Sequence, residues 1–168
     1  MAIEVEGTWS ELFEKVISGS ETAKDLFRPG FRSPVDKATL VEVQAVLRAP
    51  LPDELVSLLE ESNGVDQVMD IGGRQSVVGS LIWPAQRIRE DNLKLRTSRD
   101  YRDLYMPFDH LLFFADAGNG DLFGYAVLDG QVRKSDIYVW NHEDDSRKWV
   151  APSLKTFIEW SLSGKITT

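Results

Sequence analysis

The chain has 168 residues, 42% hydrophobic and 27% charged, which suits one folded domain with a substantial core. Nineteen Lys and Arg stand against 27 Asp and Glu, giving a net charge of −8 and a pI near 4.8. That balance argues against nucleic-acid binding, which draws on clustered cations. It suits a basic protein partner, although acidity also serves plain solubility.

There is no cysteine, so disulfides and thiolate metal sites are excluded. Two histidines, His110 and His142, are too few for a histidine-rich zinc site. No stretch approaches the roughly 20 apolar residues of a membrane span. Met1-Ala-Ile-Glu-Val-Glu6 lacks the basic start and apolar centre of a signal peptide, so a cytoplasmic location is expected.

In chain order, residues 8–18 predict a short amphipathic helix, with Trp9, Leu12, Phe13, Val16 and Ile17 on one face. Thr8 and Glu11 fit a capping box and Gly19 a stop. Residues 28–34 (Arg-Pro-Gly-Phe-Arg-Ser-Pro) read as a loop. A second helix over about 36–48 carries Leu40, Val43 and Leu47 and stops before Pro50. A third opens at Pro52, with Asp53 and Glu54 complementing its dipole, buries Leu55, Leu58 and Leu59, and closes at Asn63-Gly64.

The period then changes. Val68 to Ile71 and Val77 to Trp83 predict two short strands split by Gly72-Gly73. Pro84 starts a helix over 84–96, and residues 97–107, polar and aromatic, read as an ordered surface loop. Two apolar strands flank the Gly118-Asn-Gly-Asp121 corner, where glycine tolerates positive φ and aspartates can bind free N–H groups. Asp129-Gly130 is a type I′ turn signal leading into a strand at 131–134. Residues 137–141 and 147–150 predict two further strands, and Ser153 caps a last helix ending at Gly164. The expected fold is α+β, a single domain with a twisted, mostly antiparallel sheet and helices packed on one face.

Several chemistries fail on spacing. Counted as a calcium loop from Asp116, the corner has Gly118 at position 3, Gly120 at 5, Asp121 at 6 and Val127 at 12, so four required ligand or turn positions are wrong. Phosphate cradling fails because the corner leads from strand to strand and lacks Gly-x-x-x-x-Gly-Lys. No Gly-x-Ser-x-Gly elbow is present. His142-Glu143-Asp144-Asp145 fits a solvated turn better than acid–base machinery. No catalytic residue, metal or cofactor is therefore expected.

The order of these signals resembles the SMI/KNR family of the SUKH superfamily. The resemblance rests on Leu51-Pro-Asp-Glu-Leu…Asn63-Gly64, Ile82-Trp83-Pro84 opening a helix that reaches Asn92, Leu112-Phe-Phe…Gly118-Asn-Gly-Asp121…Tyr125, Ile137-Tyr-Val-Trp140 and Ser153-Leu-Lys-Thr-Phe-Ile158. It covers roughly residues 36–163 and leaves 1–35 as an N-terminal helical extension to a SUKH-like domain over 36–168. It implies a non-enzymatic protein-binding domain. Bacterial members look like immunity proteins that neutralise a toxin domain, often a nuclease; fungal relatives are associated with control of cell-wall synthesis. The expected partner is thus a basic toxin domain, and the alternative is a regulatory or scaffolding module. No nucleic acid or membrane partner is expected.

An acidic, aromatic contact surface would draw on Trp83, Asp116, Asn119, Asp121, Tyr125, Trp140, His142, Glu143, Asp144 and Asp145. Most of the five tryptophans are expected in the core, and one or two, Trp140 foremost, partly exposed at the rim of a partner groove, because Trp is enriched at binding hot spots.

Overall fold

The computed structural model describes residues 7–168, so the expectation about Met1–Glu6 lies outside the described residues. Helix α1 (Trp9–Gly19) opens with the expected capping box: Glu11 N donates to the Thr8 hydroxyl and Thr8 N to the Glu11 carboxylate, at 3.1 and 2.9 Å. Its stripe of Trp9, Leu12, Phe13 and Ile17 is buried in the common core. The segment 28–34 is not all loop. Arg28–Phe31 form strand β1, because an edge strand tolerates Pro29, which has no N–H to offer a second neighbour. Gly30 is needed there for room, since a Cβ would sit 2.7 Å from a Val68 methyl.

Helices α2 (Lys37–Leu47) and α3 (Asp53–Glu61) follow. The end of α3 differs from expectation. Its cap is Ser62, and Asn63 instead turns its side chain toward the next helix, accepting from Ala85 N at 2.8 Å. Gly64, at φ +86°, lets the chain pass Pro84, whose nitrogen would lie 2.7 Å from an added Cβ.

Strands β2 (Val65–Ile71) and β3 (Arg74–Ile82) form a hairpin through Gly72-Gly73, whose φ values of +61° and +80° make the predicted two-residue turn. Helix α4 (Ala85–Thr97) and a 3₁₀ turn (Phe108–His110) lead to β4 (Leu111–Asp116), β5 (Leu122–Ala126), β6 (Ile137–Trp140) and β7 (Arg147–Ala151). Helix α5 (Leu154–Leu162) is capped by Ser153. The expected strand at 131–134 reduces to one Leu128–Gln131 bridge closing the Asp129-Gly130 turn.

The strands make two antiparallel meanders, β1-β2-β3 and β4-β5-β6-β7, rather than one continuous sheet. They meet where Trp83 N donates to the Phe114 carbonyl at 2.9 Å. Among the described residues this is the one backbone hydrogen bond between the two meanders. Helix α4 is tied to β4 by buried Asn92, whose amide accepts from Phe113 N and donates to Phe113 O, both at 2.8 Å. That amide takes the place of a strand's backbone beside the irregularity at Phe113–Ala115. The result is an α+β fold with one hydrophobic core running from Trp9 to Leu162.

Candidate partner-binding site

The Gly118-Asn-Gly-Asp121 corner is closed by its own polar side chains. Asp116 accepts from Gly118 N at 3.1 Å, Asn119 accepts from Asp121 N at 3.0 Å, and Ala117 N donates to the Asp121 carbonyl at 3.0 Å. Gly118 and Gly120 hold φ of +83° and +105°, as the spacing predicts. The Asp121 carboxylate does not stay in the corner. It is buried, and accepts from both the backbone N and the ring Nδ1 of His142, at 3.1 and 2.6 Å. Burial pushes this carboxyl up, but the hydrogen bonds from His142 and Asn119 outweigh it and hold the group below its ordinary range. The imidazole lies against Gly120, where a Cβ would come within 3.0 Å of the ring.

His142 leads into the turn between β6 and β7. Asp145, in the left-handed region at φ +60°, is the knot of that turn. It accepts from Trp140 Nε1 at 2.7 Å and from Met106 N at 2.8 Å, and lies 3.3 Å from the Arg147 guanidinium. Arg147 also donates to the carbonyls of Met106 and Pro107, at 3.0 and 3.1 Å, and the Tyr105 hydroxyl donates to the His142 carbonyl at 2.8 Å. Beneath these bonds Tyr105, Phe108 and Trp140 pack edge to face. Desolvation pushes the Asp145 carboxyl up, yet Met106 N, Trp140 and Arg147 together keep it below its ordinary range. The long loop at 98–107 and the β6–β7 turn are thereby clamped into one unit.

The ten candidate residues divide by depth. Asn119, Glu143 and Asp144 are exposed, and Asp116, His142 and Asp145 are half-buried. Trp83, Tyr125 and Asp121 are buried, as is Trp140, which is only 4% exposed and so does not rim a groove. Its indole N–H needs a partner when the ring is buried, and Asp145 supplies one. Trp83 likewise donates to Asp116 at 2.9 Å, and Arg87 stacks over its ring while pairing with the same carboxylate at 3.1 Å. Tyr125 points to the far side, where its hydroxyl donates to Glu54 at 3.1 Å. The acidic character of the surface therefore falls to Glu143 and Asp144, since Asp116, Asp121 and Asp145 are spent on internal bonds.

Sequence reasoning passed over the apolar part of this surface. Leu104 and Met106 are 68% and 56% exposed, on the clamped loop beside the acidic turn. Trp149, 49% exposed on edge strand β7, is the surface tryptophan, packed edge to face on Trp160 with its indole N–H on Asp136. Two large apolar side chains in a polar loop were the available signal for the first pair. Trp149 gave none, because its exposure depends on how much of that face of β7 the distant helix α5 covers. Among the described residues no three His, Asp or Glu gather as a metal site, and no helix is long and apolar enough to cross a membrane.

A family model described as SMI1-KNR4 cell-wall (SUKH_6) matches residues 37–158, most of the chain. The chain belongs to this family. No curated protein matches it. The match begins at α2, and the preceding α1 is nevertheless joined to the matched region. Glu61 accepts from the N–H groups of Trp9 and Ser10, both at 2.8 Å, Trp9 Nε1 donates to Ser57 at 3.1 Å, and the Ser20 hydroxyl donates to the Leu162 carbonyl at 2.9 Å.

Proposed function

We propose that this protein is a non-enzymatic, cytoplasmic immunity protein that neutralises a cognate bacterial toxin domain. Its partner-binding surface is the platform built from the 98–107 loop and the β6–β7 turn. The observation that carries the reading is the placement of exposed Leu104 and Met106 beside Glu143 and Asp144 on backbone held by Asp145 and Arg147. Apolar anchors on a rigid support, with exposed charges around them (Arg99, Asp100, Arg102 and Asp103 on the loop, Glu143, Asp144 and Lys148 on the turn), are what a specific protein interface needs. Glu143 and Asp144, in a chain of net charge −8, favour a basic toxin surface, a nuclease among the candidates. Asn119 and His142 extend the platform toward the corner, and Trp140 supports it from below, whereas Trp83 and Tyr125 are buried away from it. We divide the chain into an N-terminal extension over 1–35, whose described part supplies α1 and the strand β1 to the common fold, and the family domain over 36–168.

Co-expression tests this. The protein should rescue cells from the toxin encoded beside it, and the double variant Glu143→Lys/Asp144→Lys should rescue poorly. Absence of rescue by the wild type contradicts the immunity role. The family's cell-wall description supports a second reading, a regulatory module that contacts cell-wall enzymes or their controllers. A locus with no toxin gene, together with a cell-wall phenotype on deletion, would select it.

A further inference from the structure

Three tryptophans donate their indole N–H to an aspartate, and two of these pairs are completed by an arginine of the same chain. Trp83 donates to Asp116 at 2.9 Å. Arg87 pairs with that carboxylate at 3.1 Å, its guanidinium 4.3 Å from the centre of the indole. Trp140 donates to Asp145 at 2.7 Å. Arg147 lies 3.3 Å from that carboxylate and over Phe108, a ring packed edge to face on Trp140. The third pair, Trp149 and Asp136, is joined at 2.8 Å on the surface, with about half of Trp149 exposed. Here too a second ring, Trp160, packs edge to face on the tryptophan. One Asp136 oxygen accepts the indole N–H, and among the described residues no basic side chain pairs with this carboxylate. The cation closest to these rings, Lys165, stands 6.0 Å over Trp160 instead.

We propose that Trp149 and Asp136 form a docking site for an arginine side chain of a basic partner protein. Tryptophan offers a cation the most favourable ring face of any side chain. A guanidinium is flat and weakly hydrated, so it can stack on a ring and pair with a carboxylate at once; an ammonium is a compact, strongly hydrated point charge. The indole N–H fixes one carboxylate oxygen and leaves the other to accept a charge-assisted bond. The protein's own two completed pairs use arginine each time, not lysine. The net charge of −8 draws basic proteins to this surface, and an exposed tryptophan is the residue type that anchors them. The site continues the proposed interface, since Trp149 follows Arg147 by two residues on β7, about 7 Å along the strand. It rests on the reading of the protein as a binder of basic proteins and names one contact that the partner makes, whether or not that partner is a toxin.

The indole N–H signals of the full chain labelled with nitrogen-15 test this, one for each of the five tryptophans, with Trp149→Phe identifying the relevant one. The probe is N-acetyl-arginine amide, titrated to about 100 mM at constant ionic strength, a range that reaches contacts of millimolar strength. The Trp149 signal should move and saturate, while those of buried Trp83 and Trp140 stay in place. N-acetyl-lysine amide should need about threefold more, or worse, to reach half-saturation. Asp136→Asn keeps an acceptor for the indole N–H and should weaken arginine binding about threefold or more. Unmoved Trp83 and Trp140 signals in that variant show that it is folded. A Trp149 signal that does not saturate, equal responses to arginine and lysine, or an Asp136→Asn variant that titrates like wild type overturns the proposal. So does movement confined to Trp160, where arginine would merely replace Lys165. No toxin enters this experiment, so its failure is distinct from a failure of rescue.

Discussion

A buried and a half-buried carboxylate show how opposite pH responses arise from the same residue class. Asp121 is held below the ordinary carboxylate range by His142 and Asn119, which outweigh its burial. Its stabilising effect is present above the unfolded value, near pH 4, and is lost as pH falls through the lower folded value. Asp121→Asn should cost about 1–3 kcal/mol at pH 7, and the difference from wild type in urea melts should shrink below about pH 4. Glu54 goes the other way. Burial raises it, more than the hydrogen bonds from Leu154 N and the Tyr125 hydroxyl, both 3.1 Å to the same oxygen, lower it. Its ionised form therefore costs stability at neutral pH, and that cost is relieved as pH falls through the raised value. Glu54→Gln keeps an acceptor for both donors and should be close to neutral at pH 7. Glu54→Ala leaves the α5 N-terminus and the buried tyrosine unpaired and should cost about 2–4 kcal/mol. Equal effects of the two substitutions would show that the hydrogen bonds do not matter.

At the scale of elements, α1 is the instructive case. It precedes the family match, yet Phe13 is buried and Glu61 adds a second cap from α3. Phe13→Ala should cost about 3–5 kcal/mol, measured by chemical unfolding, as for a core phenylalanine elsewhere. A cost under about 1 kcal/mol would mean that α1 is a dispensable attachment. The helices were legible because Thr8, Asp36 and Ser153 sit where caps belong and the apolar stripes repeat at helical spacing. The Gly72-Gly73 and Asp129-Gly130 turns were legible because only positive φ closes two-residue loops. β1 was not, since a strand written Arg-Pro-Gly-Phe depends on β2 to pair with it. Val132 and its neighbours have strand-forming character but no ladder to join, so one bridge is all that forms.

At the scale of the whole molecule, the split into two meanders separates two surfaces. Glu143, Asp144 and the exposed Leu104 and Met106 lie with the four-stranded half, and the exposed Ile71, Val77 and Val78 with the three-stranded half. This division was hidden from the sequence for the same reason that Trp140 looked like a surface anchor. Periodicity assigns a face within one element, and only assembly of distant elements decides what covers that face. Asp145 illustrates the point: it reads as one more acid in a polar turn, yet it joins Met106, Trp140 and Arg147.

The central claim is that the clamped 98–107 loop and the β6–β7 turn form a toxin-binding surface. Its most direct test is the association kinetics of this protein with a toxin domain encoded beside it, where the locus holds one, for wild type, Leu104→Asp and Glu143→Lys/Asp144→Lys. Loss of the exposed apolar anchor should raise the dissociation rate by about tenfold or more, the scale of an interface hot spot. The charge reversal should instead slow association and flatten its salt dependence. Wild-type kinetics in both variants, with the toxin still bound, would place the interface elsewhere and contradict the account.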